Sequence, residues 1–97
     1  MSERMVLQGI RFPLGRVVAT PGALSALQDA GKTPQEFLQR HAHCDWSEMS
    51  IDDATANTIG LLTYTRIFSS YKVGVAGKVW VITEADRSVT TLLPSDY

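Results

Sequence analysis

The last twenty residues constrain the fold most. Lys78-Val79-Trp80-Val81-Ile82-Thr83 and Val89-Thr90-Thr91-Leu92-Leu93 are β-branched runs on either side of the charged segment Glu84-Ala85-Asp86-Arg87-Ser88. That pattern makes a hairpin. Val79 to Ile82 is apolar on both faces of the pleat, which places this strand inside a sheet, with Trp80 and Ile82 expected in its core. The turn is expected to hold Glu84, Asp86 and Arg87 in solvent.

Upstream, Ile10 to Thr20 reads as a first strand carrying Phe12, Leu14 and Val17-Val18-Ala19. Pro13 and Gly15 would break a central ladder, so an edge position suits it. Thr20-Pro21 supplies an N-cap and a proline at the first helical position, and Gly31 a left-handed residue after Ala23, Leu24, Leu27 and Ala30. Thr33-Pro34-Gln35-Glu36 spells a capping box opening a second helix with Phe37, Leu38, His41 and Ala42. Ser50 to Asp53 is a third start, with a helix expected over Ile51, Ala54, Thr58 and Leu61 or Leu62, and with Asp52 and Asp53 against the positive end of its dipole. From Arg66 the period changes to two: Ile67, Ser69, Tyr71 and Val73 alternate with Arg66, Phe68, Ser70 and Lys72. Gly74-Val75-Ala76-Gly77 connects this strand to the next. The pattern predicts a single α+β domain over residues 1–97 in the order β-ααα-βββ, with three short helices packed on a mostly antiparallel sheet of about four strands.

At 97 residues the chain fits one domain, burying roughly 60–70% of the unfolded chain's surface. Nine basic and ten acidic side chains give a net charge of −1, so no summed field draws the protein to nucleic acid or an anionic membrane, although charge alone does not forbid a nucleic-acid partner. Cys44 is the only cysteine, which precludes an internal disulfide and fits a reducing compartment. Residues 1–7 lack a signal-peptide core, and no apolar run approaches the roughly 20 residues of a membrane helix. A cytoplasmic protein without a membrane anchor is expected.

The order W-V-I-T-E-A-D-R-S-x-T-T-x-L-P-x-x-Y resembles a family of small proteins carried on plasmids, phages and integrative elements of proteobacteria. The resemblance extends to Phe12-Pro13-Leu14-Gly15, Ala19-Thr20-Pro21-Gly22-Ala23-Leu24, Phe37-Leu38, Arg40-His41, Asp45-Trp46 and Asn57. Two places depart from it. Cys44 and Ser47 flank Asp45-Trp46 where relatives have G-D-W-G, and Ser69-Ser70-Tyr71 stands where they have S-A-Y. The resemblance implies a mobile-element origin, and with it a protein that binds and inhibits a host defence complex such as a CRISPR or restriction assembly. Its partner would be a protein or ribonucleoprotein, met by Glu84, Asp86 and Arg87 together with Trp46 and Tyr97. A non-catalytic module that dimerises through its first strand is a further reading.

The helix-then-sheet order, with a helical His and late Arg and Thr, is also similar to the barnase, EndoU and RelE-type ribonucleases. Such an enzyme needs a base near the ribose 2′-OH, an acid at the leaving oxygen and a cation on the phosphorane. His41, Glu84, Arg87 and Thr90, joined by Tyr71, are the candidates for a metal-free site. Glu84, Asp86 and Arg87 are equally what a solvated turn contains.

His41-Ala42-His43-Cys44-Asp45 holds ligand types that suit zinc. On a helix, however, residues 41 and 43 lie about 200° apart, and no second pair completes a tetrahedron, so no metal is expected. His41 is instead expected at the edge of the core beside Phe37, with His43 in solvent. Ser25, Ser47 and Ser70 lie in no G-x-S-x-G, and the 74–77 loop lacks G-K-[ST], so neither a serine nucleophile nor a bound cofactor is expected.

Overall fold

Thr20 Oγ1 accepts from the Ala23 N–H at 3.2 Å and opens helix α1 (Pro21–Asp29), after which Gly31 takes φ +69°. Ser50 Oγ likewise accepts from the Asp53 N–H at 3.1 Å and opens α3 (Ile51–Thr63), whose first turn holds Asp52 and Asp53. The middle helix α2 (Pro34–Ala42) corrects the expected capping box. Thr33 makes no side-chain cap bond, and the Glu36 carboxylate is drawn to Lys32 at 3.8 Å instead. The computed structural model describes residues 11–74 and 77–95. Ile10, Val75, Ala76 and Tyr97 lie outside them.

Four strands, β1 (Arg16–Ala19), β2 (Ile67–Val73), β3 (Gly77–Thr83) and β4 (Val89–Pro94), form one sheet in the order β1-β4-β3-β2. β3 is internal and β1 lies at an edge, as expected. β2–β3 and β3–β4 are antiparallel, whereas β1 runs parallel to β4 with Arg16 opposite Val89 and Ala19 opposite Leu92, so the sheet is mixed. β1 is shorter than the sequence suggests. Pro13 lacks an N–H, and Gly15 at φ +65° breaks the extended run. Gly15 also passes so close to the turn that a Cβ there would strike the carbonyl oxygens of Arg87 and Ser88.

The helices cover one face of the sheet, α1 over β4, α2 over β3 and α3 over β2. Ala23, Leu27, Phe37, Leu38, Tyr71, Val73, Val79, Val81 and Leu92 make the core between the layers. Trp80 and Ile82 are not in it. They project to the opposite face and stay partly exposed, because a strand apolar on both sides gives no sign of which side the helices choose.

β2 is the other edge, and side chains from the helix layer cover it. Asn57 Oδ1 accepts from the Phe68 N–H at 3.0 Å while Asn57 Nδ2 donates to the Phe68 carbonyl at 2.5 Å, and Glu48 Oε1 accepts from the Lys72 N–H at 2.8 Å. These bonds imitate a neighbouring strand and blunt an edge that would otherwise pair with another chain. Gly60 lets α3 come this close, since a Cβ there would lie 2.9 Å from Thr65 Oγ1 and 3.0 Å from Ile67 Cδ1. The buried residues of α3 are therefore Asn57 and Gly60, with Ala54 and Leu61 half-buried beside them. The expected apolar face holds only in part, because Ile51, Thr58 and Leu62 point outward.

Asn57→Ala should strip both edge bonds and cost about 2 kcal/mol in urea unfolding. A loss under about 0.5 kcal/mol would show that the edge needs no cover.

Candidate functional site

His41 lies on the inward side of α2 and is fully buried, not at the rim. Its Nδ1 is 2.6 Å from Ser69 Oγ and its Nε2 is 2.9 Å from Thr83 Oγ1. Thr83 Oγ1 is 2.6 Å from Thr90 Oγ1, which in turn lies 2.7 Å from the Leu14 carbonyl. The proton positions follow from the last link. A carbonyl only accepts, so Thr90 donates to Leu14, accepts from Thr83, and leaves Thr83 to accept from His41 Nε2–H. Ser69 then donates to Nδ1, and the imidazole is neutral. Burial presses the His41 pKa down to about 3, in agreement with that bookkeeping.

Among the candidate ribonuclease residues, His41 and Thr90 are thus brought together, through Thr83, but both are inside the protein. The relay ends on a backbone carbonyl rather than at solvent. Phe12 closes the site on the outer side, its ring edge-on to His41 at 5.1 Å.

Arg87 corrects the expectation of a solvated turn. It takes φ +62° and is buried, its Nη1 donating to the carbonyls of Thr65 at 2.7 Å and of Glu84 and Ala85 at 3.3 Å, and its Nη2 to that of Gly60 at 3.0 Å. The guanidinium satisfies the carbonyl end of α3, where a cation also opposes the helix dipole. Tyr64 and Phe12 flank it, with ring centroids 5.3 and 5.8 Å from Cζ. Both Nη atoms are thereby committed to backbone carbonyls. Glu84 reaches away from it to Arg66 at 3.3 Å, in solvent. Asp86 is exposed and accepts from Ser88 N–H and Oγ–H at 3.0 and 2.6 Å, which holds its carboxyl below the usual range.

The α2–α3 corner is built around Arg40, which pairs with Asp45 at 2.6 Å and Glu48 at 3.0 Å and lies over the Tyr71 ring at 4.3 Å. The Arg40 hydrogen bond, with help from Ser47, holds the Asp45 carboxyl down at about 2. Tyr71 donates to the Asp45 carbonyl at 2.7 Å, and burial pushes its hydroxyl up to about 12, so it is no acid or base at neutral pH. Trp46 is only partly exposed, and its buried indole N–H has no partner among the described residues. Cys44, partly exposed at φ +61°, has its thiol pKa raised by burial. His43 is exposed and bonds back to the Gln39 carbonyl at 2.6 Å. No three His, Cys, Asp or Glu converge among the described residues.

Three surface features emerge only with the fold. On α3, Ile51, Ile59 and Leu62 are 83%, 53% and 79% exposed and lie on one stripe. On the open face of the sheet, Phe68 and Trp80 meet edge to face with centroids 5.5 Å apart. A groove of about 600 Å³ also runs between Phe12-Pro13-Leu14 and α2, over Leu38 and Ala42. Comparison with family models, curated proteins and solved structures finds no match to the chain.

The unfolded chain takes a proton on His41 near pH 6.5 and the folded one only near 3. Stability is therefore full above about pH 6.5 and falls by up to about 1.4 kcal/mol per pH unit as the solution is acidified from there toward 3. Denaturant midpoints at pH 7, 6 and 5 should show this slope, and His41→Gln should flatten it. A wild-type midpoint constant from pH 7 to 5 would mean that His41 titrates normally in the fold.

Proposed function

We propose that the protein acts by binding a protein partner, not by catalysis, and that α3 is the element it presents. The observation that carries this reading is the apolar stripe that α3 leaves in solvent, Ile51, Ile59 and Leu62, while Asn57 and Gly60 turn inward. These three follow the spacing of anchors that an amphipathic helix lays into an apolar groove. The rest of that stripe is Thr55 and Thr58, while Asp52 and Asp53 stand at its head. The fitting partner has an apolar groove with a basic end. The resemblance to mobile-element proteins would make it part of a host defence complex, a CRISPR or restriction assembly.

The candidate ribonuclease residues support the same reading. His41 and Thr90 spend their polar atoms inside the core, Arg87 spends its on carbonyls, and Glu84 is tied to Arg66. No base, acid and cation face a common substrate position. The binding surface first expected at the turn is reduced to Glu84 and Asp86, with Trp46 apart from them.

Leu62→Glu should keep the melting temperature within a degree or two, since an exposed side chain contributes under about 0.5 kcal/mol to stability. It should weaken a partner captured from a host with defence systems, and rebound as a purified component, by tenfold or more. Unchanged affinity of Leu62→Glu would move the interface off α3. Metal-independent RNA cleavage that disappears in a folded His41→Gln variant would replace the binding reading with the enzyme.

A further inference from the structure

The chain's near-neutral charge conceals a separation that the fold creates. Residues 20–63, which build the helix layer, hold two basic side chains, Lys32 and Arg40, against six acidic ones, Asp29, Glu36, Asp45, Glu48, Asp52 and Asp53. The open face of the sheet has the reverse balance. Strand alternation puts Arg66, Phe68, Ser70 and Lys72 of β2 and its approach on that face, with Lys78, Trp80, Ile82 and Glu84 beside them, then Thr91 and Leu93, then Arg16 on β1. Among the described residues four cations and one carboxylate stand there, and the carboxylate is already paired with Arg66.

Lys72 and Lys78 are direct cross-strand partners. Like charges facing each other across a ladder destabilise it. Both are exposed, and no ion pair joins either to another described residue. The fold tolerates this repulsion beside two aromatic rings. Phe68 and Trp80 meet at 78°, so the ring that offers its edge keeps both of its faces out of that contact.

We infer that the open sheet face binds a single-stranded polynucleotide, stacking bases on Trp80 and Phe68 and holding phosphates on Lys72 and Lys78 at one end and Arg16 at the other. The chemistry is that of a stacking platform with a cationic margin, which suits unpaired strands because only they offer base faces. From Arg66 to Lys72 the platform is roughly 20 Å long, enough for two or three stacked bases, as on other four-stranded sheets that bind RNA. An apolar protein partner would need no cations here, and a duplex offers no base to stack. This inference is independent of the one for α3, which lies on the other layer.

The test is fluorescence anisotropy of labelled oligouridylate and oligothymidylate of roughly ten nucleotides, with a duplex of equal length, titrated with the full chain. Both single strands should bind in the range of roughly 1–100 µM and weaken with salt, and the duplex should bind at least tenfold worse. Tighter binding of the RNA would assign the site to RNA through the 2′-OH, and equal binding would assign it to either strand type. Lys78→Glu is the decisive variant because it replaces a repulsive pair with an attractive one. It should melt at the same or a higher temperature yet bind single strands tenfold or more weakly, with a shallower salt dependence. Oligonucleotide should also quench Trp80 emission in a Trp46→Phe background, and Leu62→Glu should bind as the parent does. No binding at low salt, equal binding of the duplex, or undiminished binding by folded Lys78→Glu would each overturn the proposal. Loss of a protein partner in Lys78→Glu without any oligonucleotide binding would overturn it in favour of a protein interface.

Discussion

A histidine at the centre of the helix–sheet interface is the constraint on which the arrangement of elements depends. Imidazole cannot be charged there without a large desolvation cost, and a neutral imidazole still has one donor and one acceptor to satisfy. Ser69 meets the acceptor from β2 and Thr83 meets the donor from β3. The hydroxyl of Thr83 then needs an acceptor of its own, which Thr90 supplies from β4, and Thr90 in turn needs the Leu14 carbonyl. One buried ring thus fixes α2 against two strands and, through two hydroxyls, registers a third strand and the segment that leads into β1. Phe12 packs on the ring, and Gly15 passes tightly over the β3–β4 turn, as that registration requires. Arg87 does for α3 what His41 does for α2. Its guanidinium binds the carbonyl end of α3 to the turn, so the neutral imidazole and the cationic guanidinium are both internal struts.

Local signals carried the sequence reading where local chemistry decides the outcome. Thr20-Pro21 and Ser50 cap helices with bonds that span three residues, and the alternation from Arg66 reports the pleat of β2 directly. The internal place of β3 and the edge place of β1 were legible for the same reason, from two-sided apolarity in one and Pro13 with Gly15 in the other. The site was less legible because its partners are distant in sequence. Ser69 and Thr83 lie 28 and 42 residues from His41, and Leu14 lies 76 residues from Thr90. Arg87 sits in a segment whose composition suits solvent. Only its left-handed backbone turns the side chain back under α3, and nothing in the flanking residues announces that. Apolar spacing reports only Ala54 and Leu61 on the inward side of α3, because Asn57 and Gly60 serve a strand edge and a close approach that such spacing does not reveal.

The same arrangement leaves two faces available. The helix layer is acidic and ends in an apolar stripe on α3, and the sheet's other side is aromatic and basic. A near-neutral chain can therefore offer surfaces of opposite character on its two layers. The non-catalytic reading depends on the core chemistry being closed to substrates, since an accessible His41 would restore an enzymatic reading of the residues around it.

The most direct measurement of that closure is the imidazole itself. Long-range ¹H–¹⁵N NMR of the His41 ring, followed from pH 7 to 4, reports tautomer and charge together. The ring should be neutral and protonated on Nε2, with ¹⁵N shifts that do not move across that range while the chain stays folded. A ring that titrates between pH 6 and 7, or one protonated on Nδ1, would contradict that closure.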